Sequence, residues 1–117
     1  MFNTIEEIYT FIGQSILDNL SIEWQEAVLN IEIDTGYVSY GGGVTNEDNE
    51  YVSFSVRKFP REIRKAIKKL HKITTEGGHN RWNKAKFTMD ANHKFEMEFI
   101  WDQEKQDEVD KLNEELA

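Results

Sequence analysis

Isoleucines and a leucine recur at three- and four-residue spacing near the start of the chain: Ile5, Ile8, Ile12, Ile16 and Leu20. This spacing predicts an amphipathic helix of roughly four turns. It opens on Thr4-Ile5-Glu6-Glu7, a capping box in which the Thr4 hydroxyl accepts from the Glu7 N–H while the Glu7 side chain reaches back. Ser21 opens a connection. From Trp24 to Asp34 the period falls to two, with Leu29, Ile31 and Ile33 opposing Asn30, Glu32 and Asp34. Thr35-Gly36 marks a turn, Tyr37 to Val44 a returning strand, and Asn46-Glu47-Asp48-Asn49 a second turn. Tyr51 to Val56 alternates again, Val52, Phe54 and Val56 against Tyr51, Ser53 and Ser55, which completes a three-stranded meander.

Pro60 suits the first position of a second helix, where a missing N–H costs nothing. Ile63, Ala66, Ile67, Leu70 and Ile73 form its stripe, and Gly77-Gly78 ends it. Trp82 to Met89 and Phe95 to Trp101 read as a hairpin around Ala91-Asn92-His93-Lys94, with Phe95, Met97, Phe99 and Trp101 on one face. Gln103 to Ala117 is a third helix with a thin stripe of Val109, Leu112 and Leu116. The order α-β-β-β-α-β-β-α predicts an α+β fold, an antiparallel sheet of about five strands with helices packed on one face. Residues 1–117 read as a single domain.

Composition narrows this reading. Hydrophobic residues are 38% of the chain and aromatics 12%, enough for one packed core and too much for a disordered acidic chain. The absence of cysteine excludes disulfides, thiolate zinc sites and cysteine nucleophiles, and suits a reducing interior. The N-terminus reads as an amphipathic helix, not a signal peptide, and no stretch reaches the ~20 apolar residues of a membrane span. The expected location is the cytoplasm, with no membrane partner.

The net charge of −8 hides a segregation. Residues 1–56 carry ten acids and no Lys or Arg; residues 57–94 carry twelve Lys or Arg and three acids; residues 95–117 carry nine acids and two lysines. Asymmetry of this size bears on partners and association rates rather than on fold.

No constellation carries chemistry. Gly41-Gly42-Gly43 lacks the Lys-Ser/Thr of a phosphate loop and reads as a bulge or a strongly twisted hairpin. His71, His79 and His93 have no ligand spacing and read as exposed or capping histidines, although Glu76 stands near His79 in sequence. Glu96 and Glu98 read as two residues of a solvated strand face rather than a glycosidase pair. The expectation is a protein that is not an enzyme, needs no cofactor or metal, and works by binding, as a monomer or a homodimer.

Two surfaces compete for the partner. The acidic one gathers Glu23, Glu32, Asp34, Glu47, Asp48 and Glu50 with Asp102, and fits a basic protein captured by charge complementarity. The basic one lies on the second helix, Arg61, Arg64, Lys65, Lys68, Lys69 and Lys72, and fits phosphates. A sequence pI near 4.9 and the lack of a nucleic-acid-binding motif weigh against nucleic acid. Self-association of basic and acidic segments is a third reading.

Two stretches resemble the YezG-like family of bacterial immunity proteins. One is Ser21-Ile22-Glu23-Trp24 after the first helix. The other runs from Trp82-Asn83-Lys84 to Phe99-Ile100-Trp101-Asp102. The chain departs from the family pattern by lacking the proline of the first junction and the glycine before Lys94-Phe95. The resemblance spans about half the chain and carries structural motifs, with Trp24 and Trp101 as packing residues. It implies an antitoxin that neutralises a secreted polymorphic toxin, often a nuclease, by tight binding inside the producing cell or its siblings.

Overall fold

The computed structural model describes residues 2–20, 22–34, 37–78 and 81–116, and of Val56 only the backbone. Its elements are helix α1 (Ile5–Leu17), strands β1 (Trp24–Asp34), β2 (Tyr37–Asn46) and β3 (Tyr51–Ser53), helix α2 (Glu62–Thr75), strands β4 (Lys84–Asp90) and β5 (Phe95–Ile100), and helix α3 (Gln103–Leu116). The order is the α-β-β-β-α-β-β-α of an α+β fold. All four strand pairings are antiparallel, in the order β3-β2-β1-β4-β5. The longest strand, β1, therefore lies in the middle and joins the meander to the C-terminal hairpin.

The core lies between one sheet face and two helices. Ala27, Leu29 and Ile31 of β1, Val38 and Val44 of β2, and Ala85, Phe87 and Met89 of β4 point at the buried stripes of α1 and α2. Ile8, Ile12 and Ile16 are fully buried, each contributing about 1.5–3 kcal/mol by leaving water. Tyr9 of α1 packs on Phe87 and Phe95, so α1 crosses the hairpin side of the sheet. Arg64 of α2 donates to the Val38 carbonyl and lies over the Tyr40 ring, so α2 crosses the meander side. The third helix differs from the expected one-face packing: α3 buries no residue. Its stripe of Val109, Leu112 and Leu116 is too sparse to claim a place in the core.

Several local expectations are corrected. Strand β3 stops at Ser53 rather than Val56, because the chain turns through a 3-10 segment (Val56–Lys58) that brings Phe59 into the core. Phe59 stacks on Tyr40 and packs on Phe54, and an extended Val56 would carry it past them. Pro60 is not the first residue of α2. It precedes the Arg61 cap, and its carbonyl accepts from Ile63 N–H in a tight first turn. Strand β2 runs two residues beyond Val44, to Asn46. Helix α1 ends at Leu17, and Leu20 packs on the core from beyond it. Glu7 N–H donates to Thr4 Oγ1 as the capping box requires, but the Glu7 carboxylate meets the Thr4 hydroxyl instead of the backbone.

The glycine triplet forms neither bulge nor turn. It sits mid-strand, paired with Val28, Leu29 and Asn30, and the register shift of this ladder lies at Trp24/Glu26. The need for glycine is close approach: a Cβ on Gly42 would run into the Val28 carbonyl oxygen, and one on Gly43 would strike Val52 and the Tyr51 ring. Two turns go as expected. Asn46 Oδ1 accepts from Asp48 and Glu50 N–H, and Asp90 Oδ1 accepts from Asn92 and Lys94 N–H, with Asn49 and His93 at positive φ. Gly77 and Gly78, also at positive φ, end α2. Ser21, the Thr35-Gly36 turn, His79 and Ala117 lie outside the described residues.

Candidate functional site

Charge separated along the sequence becomes charge separated between layers. The sheet face away from the helices alternates with the core face. Its rows, read from the register, include Glu26 opposite Asp90, Glu32 opposite Lys84, Lys86 opposite Glu98 and Thr88 opposite Glu96. Five carboxylates thus share this face with two lysines. Glu26, Glu32, Lys86, Glu96 and Glu98 are exposed, and no helix crosses them. Gly41 leaves open space here, where a Cβ would meet nothing within 4 Å, and so deepens a shallow trough beside Asn30, Glu32 and Lys86. Glu96 and Glu98, expected on a solvated strand face, are there.

The seven acids of the expected patch do not form one surface. Glu23, Glu47, Asp48 and Glu50 gather where β1 begins and β2 turns into β3. Glu32, Asp34 and Asp102 lie at the other end of β1, about 35 Å away at the rise of an extended strand. Glu26, Glu96 and Glu98 fill the space between, and the alternation of their strands was the signal that could have added them.

At the far end two of the three carboxylates, Glu32 and Asp102, are engaged. Lys84 Nζ lies 2.8 Å from Asp102 Oδ2 and 3.5 Å from Glu32 Oε1, the only ion pairs among the described residues. The hydrogen bond from Lys84, then that from the Lys105 N–H, holds the Asp102 carboxyl below its ordinary value, and the bond to Asp102 raises Lys84. Asp102 Oδ1 accepts from the Lys105 N–H and so caps α3. Buried Asn83 fixes this junction: its Nδ2 donates to the Asp102 carbonyl and its Oδ1 accepts from the Asp102 N–H, each at 2.8 Å. Lys105 Nζ donates to the Ile33 carbonyl, tying the α3 start to the end of β1. Sequence reasoning placed Asp102 on a binding patch and missed Asn83, whose role depends on Asp102, nineteen residues away and just beyond β5.

On the helix layer, Arg61, Arg64, Lys65, Lys68 and Lys72 are exposed and Lys69 half-buried. Arg64 is committed to Val38 and Tyr40. His71, expected exposed or capping, is half-buried: its Nε2 donates to the Trp82 carbonyl at 3.0 Å, and its ring meets the Trp82 ring edge-on. Beside it a cleft of about 450 Å³ opens between α2, the ends of β1 and β5, and the start of α3. Ile33, Val38, Trp82 and Trp101 give it an apolar lining, with Lys68 and Arg81 as cations and Asp34 as an acid. Trp101 is therefore a cleft wall rather than a core residue. The Arg81 guanidinium lies 4.3 Å from its ring centroid, and its Nε1 donates to Gln103. Trp24, in contrast, packs against the core.

Among the described residues no group of three or more His, Asp or Glu side chains is placed to hold a metal ion, and no helix is long and apolar enough to cross a membrane. No protein-family model matches the chain, and no curated protein matches it.

Proposed function

We propose that this protein is an immunity protein that binds and neutralises a secreted toxin domain. The acidic open sheet face is the contact, set against a basic substrate groove such as that of a nuclease. The observation that carries the reading is the uncovered sheet face, where Glu26, Glu32, Glu96 and Glu98 stand in register with Lys84 and Lys86 as the cations among the described residues. An array of carboxylates on a sheet presents negative charge at fixed spacing, as a nucleic-acid backbone does, and a hydrogen-bonded sheet backbone loses little entropy when it is covered. The resemblance of the Glu23-Trp24 and Trp101-Asp102 segments to YezG-like immunity proteins supports the same reading, which implies a cytoplasmic location.

The gene immediately upstream is expected to encode a secreted protein with a toxic C-terminal domain, and that domain is the partner to purify. Association should be fast and slow by about tenfold or more between about 50 and about 500 mM salt. Glu96→Lys with Glu98→Lys should slow it further. Glu47→Lys, Asp48→Lys and Glu50→Lys together test whether the contact extends to the β2–β3 turn. Rates indifferent to salt and to both sets of substitutions would refute the acidic-face mechanism.

A second reading has its own observation. The exposed cations of α2 have no carboxylate within 4.0 Å among the described residues. A nucleic-acid adaptor would use them, and a mobility shift lost on replacing Lys65, Lys68, Lys69 and Lys72 would favour it.

A further inference from the structure

Helix α3 is fourteen residues long and buries none of them, with Leu112 58% and Leu116 84% exposed. A helix of that length without tertiary support is marginal in water. The molecule is drawn out to match, with a radius of gyration of 15.2 Å against about 13.4 Å for a compact chain of this length. Val109, Leu112 and Leu116 lie on one side of the helix, and Glu108 and Glu115, one turn to either side of Leu112, border them. The element is an apolar stripe edged with carboxylates.

The cleft beside α2 is its complement. Its lining sets apolar Ile33, Val38, Trp82 and Trp101 among polar side chains, and among the described residues its charged groups are Lys68 and Arg81 against Asp34. Lys65 and Lys72 flank Lys68 on the same helix face, one turn to either side. Lys65 and Lys72 are seven residues apart, as are Glu108 and Glu115, so both pairs span about 10.5 Å along their helix axes.

A chain cannot close this contact on itself. Gln106 already stands in the cleft wall and Lys105 is tied to Ile33. Leu112 and Leu116 follow six and ten residues after Gln106, which carries them about 9 and 15 Å further along the axis, away from their own cleft. We propose that the occupant is a second copy: α3 of each protomer lays Leu112 and Leu116 into the other's cleft, with Glu108 and Glu115 against Lys65 and Lys72. Two such contacts related by a two-fold axis close the assembly as a dimer. The open sheet face lies on the far side and stays free, so the dimer does not depend on the proposed toxin contact.

Sedimentation velocity on the full chain alone, between about 1 and about 100 µM, tests this without any toxin. The expected result is a concentration-dependent dimer that weakens with salt. Leu112→Asp with Leu116→Asp removes the donor, and Lys68→Glu with Arg81→Glu removes the acceptor. Each pair should raise the dissociation constant at least tenfold while the far-UV spectrum keeps a folded sheet. Mixing the two variants should recover a dimer through the one intact contact. A monomer at the highest concentration, a dimer insensitive to both pairs, or a mixture that stays monomeric would each overturn the proposal.

Discussion

Replacing Asn83 by alanine tests whether one buried amide holds helix α3 to the sheet. The side chain makes two hydrogen bonds of 2.8 Å, both to the backbone of Asp102. Asn83 is 3% exposed, so water reaches its place poorly, and truncation leaves the Asp102 N–H and carbonyl without these partners. Each lost bond costs about 0.5–1.5 kcal/mol net, and more where the orphaned group stays dry, which sums to about 2–3 kcal/mol. The main-chain bonds at Asn83, from Ile33 N–H to its carbonyl and from its N–H to Ile100, survive the substitution. The sheet should therefore stay folded, with a melting temperature lower by about 8–12 °C. Amides of α3 should exchange faster than those of β1 and β4, because the substitution frees the helix anchor and leaves the central strands paired. Urea denaturation gives the global loss and hydrogen exchange its location. A melting temperature within about 2 °C of the parent, or exchange that rises uniformly, would refute the anchoring role. Lys84→Met is the control: it removes ion pairs that are partly open to solvent, and should cost less than Asn83→Ala.

Neighbouring glycines should behave oppositely. Gly42→Ala drives a Cβ into the Val28 carbonyl in the middle of the sheet and should cost about 3 kcal/mol, the upper end for overpacking, whereas Gly41→Ala meets open space and should be neutral or slightly stabilising in the same urea titration. Asp102 has a folded pKa below its ordinary 3.8, so its contribution to stability is complete above that value and lost as pH falls through the lower folded one. Asp102→Asn should therefore flatten the acid limb of stability below roughly pH 4, and an unchanged limb would contradict the assignment. Lys84 is raised above its ordinary 10.5, so its contribution is complete below that value and fades as pH rises through the folded one; Lys84→Met should flatten the alkaline limb.

Periodicity alone determined the element types and their order, because a stripe at three-to-four spacing or an alternation can bury itself only as a helix or a strand. Ile8, Ile12 and Ile16, or Leu29 and Ile31, needed no partner to reveal which side they turn inward. The order of charges along the chain likewise separates an acidic meander from a basic helix. Tertiary structure decided what depends on residues distant in sequence. It put Phe59 into the core and so cut β3 short, and it required glycine at position 42 because a carbonyl of β1 passes there. It set the acids of β1, β4 and β5 on one open face while parting Glu47 from Asp102. It made Asn83 a staple rather than a strand residue, and left α3 uncovered, because the core faces of α1 and α2 already fill the one apolar side of the sheet.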